Sequence, residues 1–223
     1  MKKRLVVFGL GTYSELAHHY FGSGSGSEYE VEAFAVDAAF VTGDAFCGRP
    51  VLAWEEALRA FPCATHEMFI GIGYSRVNRL RREKYLLAKE AGYRLASYVH
   101  PTASIAPNAR LGDNGLVREN ATIGPFVSIG DNVFIGPAVC VSHHTVIESH
   151  CYLAPAVVLC GSVHVGEACF IGANATLKDK LKIGADCVIG AGAVVLSDCE
   201  AGGIYRAESA RRSEGRSSQF ARL

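Results

Sequence analysis

The chain has 223 residues, and Lys plus Arg and Asp plus Glu each total 22, so its formal charge at pH 7 is zero. That balance excludes a dedicated nucleic-acid binder or a polybasic membrane anchor, and no apolar run reaches the ~18 residues that a membrane span needs. The eight cysteines are too sparse for a disulfide scaffold and form neither a CxxC pair nor a Cys/His cluster at zinc spacing, so they read as reduced, mostly buried thiols. The apolar run at 5–10 is too short for a signal-peptide core and no small-residue cleavage site follows it. A soluble, cytoplasmic protein of one or two domains is expected.

Of the 21 aromatic residues, fifteen precede position 99, four (Phe126, Phe134, Tyr152, Phe170) lie between 99 and 203, and two fall in the tail. This shift predicts a boundary near Tyr98-Val99, giving units 1–98 and 99–200 and a tail 201–223. In the first unit, residues 4–8 read as a strand ending at Gly9, 12–21 as a helix, and 31–36 as a second strand ending at Asp37. The Gly/Ser alternation at 22–27 reads as a flexible loop. Helical spacing returns at 54–61, a third strand at 68–72 ends at Gly73, a charged helix spans 77–91 before Gly92, and 94–99 closes the unit as a fourth strand. Alternating strands and helices imply a small parallel sheet, a Rossmann-like α/β subdomain. Gly9-Leu10-Gly11-Thr12-Tyr13-Ser14 is two-thirds of GxGxxG. Set between a strand and a helix it suits the approach of a phosphate to backbone N–H groups, and the missing third glycine argues against NAD.

From Val99 an aliphatic residue recurs every six positions, through Ile105, Leu111, Val117 and Ile123 to Ile183, Ile189 and Val195, seventeen positions in one register. Glycine follows many of them, as at Gly112, Gly124, Gly130, Gly136, Gly166 and Gly172, and small or β-branched residues stand four further on, as at Ala121, Val127 and Ala175. A period of six is no helix period; short strands turning a corner every six residues satisfy it, the signature of a parallel β-helix. Pro107, Asp113, Pro125, Asp131, Pro137, Pro155 and Asp179 then occupy corners, followed by Asn108, Asn114, Asn120, Asn132 and Asn174, residues that tolerate left-handed backbone. The rule breaks once, at Val141-Ser142-His143-His144-Thr145-Val146. An imidazole, with an ordinary pKa near 6.5, can take a proton from an attacking amine or hydroxyl at neutral pH.

The repeat resembles the hexapeptide-repeat acyltransferases, whose coils are left-handed with three hexads to a turn. The resemblance implies about six coils and, at ~4.8 Å per rung, a prism roughly 27 Å tall in which Cys151, Cys169 and Cys187 form one interior column. The whole chain is similar to the sialic-acid O-acetyltransferase and bacillosamine-type amino-sugar N-acetyltransferase family, which joins a small nucleotide-sugar-binding α/β unit to a left-handed β-helix and assembles as trimers. The resemblance implies an acetyl-CoA-dependent N-acetyltransferase acting on the amino group of a nucleotide-linked deoxyamino sugar. The alternative is O-acetylation of a sialic-acid-like sugar. The family's base aligns with His143, and His144 becomes an orienting partner or substrate contact, with His150 and His164 as surface or packing residues. The acetyl-CoA contacts fall on Tyr152, Ala173 and Ala191, and the nucleotide-sugar contacts on Gly11, Thr12, Tyr13, Asp37 and Gly73.

The partners so implied are acetyl-CoA, a nucleotide-linked amino sugar and two further copies of the chain, with no metal, nucleic acid or membrane span. A trimeric zinc β-helix is disfavoured because no two histidines are 36 residues apart, and a non-catalytic glycan-binding module would leave the broken corner without a purpose. Where many members close with Gly-x-Pro-Ala, this chain has Arg206-Ala207-Glu208-Ser209-Ala210, and its 201–223 tail holds five Arg against two Glu.

Overall fold

The computed structural model describes residues 2–22 and 28–210. Its first half runs β1 (Lys3–Phe8), α1 (Thr12–Gly22), β2 (Tyr29–Val36), β3 (Ala45–Phe46), β4 (Arg49–Ala53), α2 (Trp54–Ala60), β5 (Glu67–Ile70) and α3 (Arg79–Glu90). The sheet order is β3-β4-β2-β1-β5, parallel throughout except for the β3–β4 pair. Leu5, Val6 and Val7 of β1 are fully buried, because a central parallel strand is covered on both faces and must be a continuous apolar run.

The expected fourth strand at 94–99 is not formed as such. Leu95 makes an isolated parallel bridge to Met68, whereas Tyr98–Val99 pairs with Leu116–Val117 and opens the second half of the fold. The sheet is completed instead by β4 beside β2. The sequence reading passed over it because Gly48 and Pro50 sit at its start; Gly48 adopts φ +72°, the turn that lets β3 fold back on β4. The Gly/Ser stretch at 23–27 lies outside the described residues.

From Tyr98 onward the described residues form seventeen two-residue strands spaced by six, and an eighteenth at Ile204–Tyr205. Each of the seventeen ends on one of the periodic aliphatics. They stack in three parallel sheets of seven, six and five strands, residues pairing with those 18 further on, for example Ile123 with Val141 and Ile135 with Leu153, except at the last strand, where Val188 pairs with Ile204. The three sheets are the faces of a left-handed parallel β-helix. From Asn114 to Asp186 a left-handed residue (φ 48–67°) marks every sixth position, whether Asn, Phe126, Ala138, His144, His150 or Lys180. Inside, the aliphatics of successive rungs fill the prism, with Cys151, Cys169 and Cys187 fully buried as one column. Each such side chain contributes about 1.5–3 kcal/mol by burial.

The face built on strands 98–99, 116–117, 134–135, 152–153 and 170–171 carries the α/β unit. Leu116, Phe134, Tyr152 and Ala154 share one apolar cluster with Leu5, Val7, Phe21, Phe34 and Phe69. Polar contacts complete the junction. Asn114 Oδ1 accepts from the Ile70 N–H at 2.8 Å, and Asn78 Nδ2 donates to the carbonyls of Ala168 and Cys169 at 3.2 and 3.0 Å. In consequence, corner side chains do not all face outward. Asn114, Asn132 and His150 stand on corners yet are buried, because α3 covers that edge. Asn114 Nδ2 donates to Asn132 Oδ1, and Asn132 Nδ2 to His150 Nδ1, both at 2.8 Å, a polar ladder climbing the corner. Burial, then Arg82 and Arg81, push the His150 imidazole down to about 4, so it is neutral at pH 7. His164 stands on the surface and pairs with Glu148 at 2.8 Å.

Candidate active site

The broken corner lies between strands Cys140–Val141 and Val146–Ile147. Both histidines are exposed. His144 takes the left-handed position (φ 57°), its N–H donates to the Pro125 carbonyl at 3.1 Å, and its ring stacks on Phe126 of the coil below, centroids 4.7 Å apart. His143 precedes it, and the two rings meet edge to face with Nδ1 atoms 3.1 Å apart. One Nδ1 must carry the shared proton. When His143 donates, His144 accepts as a neutral ring, and the Nε2 of His143 is left with a free lone pair.

Gly161, one coil above, was not singled out in the sequence, although it stands where other corners carry Pro or Asp. A Cβ there would lie 2.5 Å from His143 Cε1 and 2.7 Å from Nε2. The glycine therefore makes the space in which the His143 ring lies. The readable signal is a glycine at the corner position 18 residues after His143, the spacing at which residues stack.

A second feature sits at the carboxyl ends of β1 and β5, the crevice where open α/β sheets take ligands. The loops Gly9–Tyr13 and Gly71–Ser75 line a cavity of about 400 Å³. Gly11, Thr12, Tyr13 and Gly73 are brought together there. A Cβ on Gly73 would meet the Tyr13 ring at 2.9 Å, so glycine permits the two loops to close on each other. Asp37 does not line the cavity. Its Oδ1 accepts from Lys84 Nζ at 2.8 Å, and its carbonyl starts the short turn Ala38–Phe40.

Tyr152 is buried beneath the same cavity. Its hydroxyl is hydrogen-bonded to that of Tyr13, its ring stacks on Phe170 at 5.4 Å, and Tyr74 leans on it at 4.9 Å. It thus groups with Tyr13 and Gly73 in this chain. Burial, then the bond to Tyr152, drives the Tyr13 phenol far above the usual range, so Tyr13 stays neutral. Ala173 and Ala191 mark the corner between the covered face and the next one. Ala173 is half-buried and packs against the apolar cluster at the junction, Ala191 is exposed, and the Gly192 N–H donates to the Ala173 carbonyl at 2.8 Å. Small side chains there leave backbone accessible to an extended ligand.

Within one chain the cavity and His143 do not meet. The cavity lies over the covered face, and the His143 corner joins the other two faces, across the prism. Among the described residues no three His, Cys, Asp or Glu form a metal-binding group, and no helix is long and apolar enough to cross a membrane. The part of the Arg-rich tail beyond residue 210 lies outside the described residues.

The family profile of the bacterial transferase hexapeptide (six repeats) matches residues 162–197. No curated protein sequence matches the chain. Among solved structures it is similar to PerB from Caulobacter crescentus in complex with CoA and GDP-perosamine, at 29% identity over 91% of this chain and 93% of that one, TM-score 0.79. A mutant of perosamine N-acetyltransferase from the same organism, also with CoA and GDP-perosamine, aligns at 28% identity, with the same coverage and TM-score 0.81. The acetyltransferase domain of PglB from Neisseria gonorrhoeae shares the fold, with 24% identity over 92% of this chain and 97% of that one, TM-score 0.82. In repeat, two-part architecture and near-complete coverage, this chain is a hexapeptide-repeat protein similar to acetyltransferases of that class.

Proposed function

We propose that the protein is an acetyl-CoA-dependent N-acetyltransferase acting on the amino group of a nucleotide-linked deoxyamino sugar. The observation that carries this reading is the single broken corner. It is the corner where two histidines stand side by side, and it presents one imidazole over Gly161 with its Nδ1 held by a second imidazole. Its chemistry is that of a positioned base, and the relatives that share the whole architecture are crystallised with CoA and a GDP-linked amino sugar.

Acetyl-CoA supplies the thioester. The small corner side chains of Ala173 and Ala191 fit a pantetheine arm lying along the backbone. His143 Nε2 accepts a proton from the sugar amine as its nitrogen bonds to the thioester carbon, and returns that proton to the departing CoA sulfur. His144 Nδ1 accepts the His143 Nδ1–H throughout, so the imidazolium formed midway keeps a hydrogen-bond acceptor. No residue of the chain need become covalently acylated.

Residues 1–98 select the acceptor through Gly11, Thr12, Tyr13 and Gly73, and residues 99–200 perform the transfer. Asp37 joins the first set when its second carboxylate oxygen meets a ribose. The separation of cavity and base across the prism supports a homotrimer in which the His143 corner of one chain faces the Ala173 corner and cavity of the next. Exposed Phe126, Val146, Val194 and Leu196 on the uncovered faces are the kind of surface such packing buries. Free cysteines at all eight positions suit the cytoplasm, where acetyl-CoA and nucleotide sugars are made.

The test is release of free thiol from acetyl-CoA against UDP-, dTDP- and GDP-linked amino sugars. Turnover with at least one is expected, and none with any of them would overturn the reading. For the shared site, mixed oligomers of His143→Ala and Gly73→Val chains should regain activity that neither variant has alone. Activity that is no greater in the mixture places base and cavity in the same chain.

A further inference from the structure

Arg81 is fully buried at the junction of the two units and has no carboxylate partner among the described residues. All its donors go to neutral acceptors. Nε donates to Asn132 Oδ1 at 3.1 Å, and Nη1 to the Gly73 carbonyl at 2.9 Å and to Asn78 Oδ1 at 3.1 Å. Nη2 donates to the carbonyls of Asn132, His150 and Cys151 at 3.3, 3.1 and 3.0 Å. The guanidinium lies 4.3 Å from the centre of the Phe134 ring. Burial pushes it down to about 10, which leaves it charged at pH 7. Carbonyls satisfy its hydrogen bonds without cancelling its charge, and a buried cation of this kind is costly to keep for packing alone.

The bond to Gly73 has a geometric consequence. Every described peptide is trans, so the C=O of residue 73 and the N–H of residue 74 point in opposite directions. With the Gly73 carbonyl drawn inward to Arg81, the Tyr74 N–H is turned outward, toward the cavity that Gly73 and Tyr74 line. Ser14 acts in the same way one step earlier. Its buried hydroxyl donates to the Gly71 carbonyl at 2.9 Å and so turns the Ile72 N–H. Among the described residues neither N–H donates to a protein acceptor. The cavity lining contains no charged side chain, so an anion held there must rely on backbone donors and on charge placed behind them.

We propose that Arg81 is a positioning residue for an anion site: it fixes the Gly73–Tyr74 peptide so that the Tyr74 N–H meets the diphosphate of the nucleotide-linked sugar, with the guanidinium charge behind that donor. This rests on the nucleotide-sugar reading above. Arg81 touches no ligand itself and acts through one peptide.

The experiment is calorimetric titration of the full chain and its R81M and R81K variants with UDP, dTDP, GDP, the matching nucleosides and acetyl-CoA. The tightest wild-type diphosphate should bind R81M about tenfold more weakly or worse, the size of one lost charge-assisted hydrogen bond. Nucleoside and acetyl-CoA affinities should hold, and R81K should fall between. An R81M chain that binds the diphosphate as the wild type does, or that loses acetyl-CoA equally, overturns the proposal and leaves the nucleotide-sugar reading standing. Wild-type protein that binds none of the three diphosphates removes that reading and the proposal together. Should R81M fail to fold, the wild-type Tyr74 amide decides. Its 15N–1H resonance should move with the diphosphate and not with the nucleoside, and an unmoved amide overturns the proposal.

Discussion

His144 and His150 occupy the same position of the repeat on successive corners, with φ of 57° and 67°, and their chemistry differs completely. His144 is exposed, stacks on Phe126 and touches the Nδ1 of His143. His150 is closed over by α3, lies edge-on to Tyr85, takes a hydrogen bond from Asn132 and is held neutral by burial. One backbone geometry thus presents a pair of imidazoles where the corner is open, and a packed imidazole where a second unit covers it. The repeat sets where a side chain is mounted, and the cover sets what that side chain can do.

The sharpest way to break this comparison is at the exposed corner. His143→Ala should lower turnover by about 10²–10⁴-fold, the usual worth of a positioned proton acceptor. The fold and acetyl-CoA affinity should persist, because the side chain is exposed and contributes nothing to the interior. Thiol release and calorimetry check both halves, and near-native turnover would mean the base lies elsewhere.

The buried corner is probed by pH. Folding holds His150 well below its ordinary value near 6.5, so the unfolded chain binds more protons between about pH 6.5 and 4. Its contribution is fully present above 6.5 and is lost as pH falls toward 4, up to about 3 kcal/mol for a difference of this size. His150→Asn extends the Asn114–Asn132 ladder with a residue that tolerates the left-handed backbone. The melting temperature of that variant should fall less steeply than the wild type's across the window. Parallel curves for the two proteins would remove His150 as the cause.

Smaller effects separate the parts of the exposed corner. Gly161→Ala puts a methyl group where the His143 ring lies and should cost about 10²-fold in turnover with unchanged stability, because a displacement of ~1 Å suffices for such a loss. Unaltered turnover would show that the ring has other room. His144→Ala should cost least, about tenfold, and His144→Glu should restore the loss by supplying another acceptor for the His143 Nδ1–H. A His144→Glu enzyme no better than His144→Ala would indicate that His144 contacts substrate instead.

Much of this molecule is legible in its sequence. The six-residue spacing from Val99 to Val195 predicts every two-residue strand in that range, because each strand and corner is set by residues within six positions of it. The corner exception at His143-His144 was visible for the same reason, and so were Gly11 to Tyr13 and Gly73 at the ends of apolar strands. β4 was hidden behind Gly48 and Pro50, turn residues that read as loop, and 94–99 looked like a sheet strand although its last two residues belong to the prism. Gly161 was overlooked because a glycine means little until the ring 18 residues earlier is placed above or below it.

The sequence by itself determined the six-residue spacing of the strands, their corners and the exception at His143-His144, since all of these follow from local periodicity; the left-handed coil and the interior cysteine column came with the resemblance to the hexapeptide-repeat acyltransferases. Tertiary structure decided that Asp37 is drawn to Lys84, that Tyr152 meets Tyr13 across 139 positions, that α3 silences His150, and that Arg81 holds Gly73 from behind. It also decided that the cavity and the His143 corner lie on opposite sides of one prism. The physical reason is reach: a hexad controls the residues it touches along the chain, whereas the docking of the α/β unit on one face of three depends on apolar side chains scattered from Leu5 to Tyr152 and is written in no single stretch.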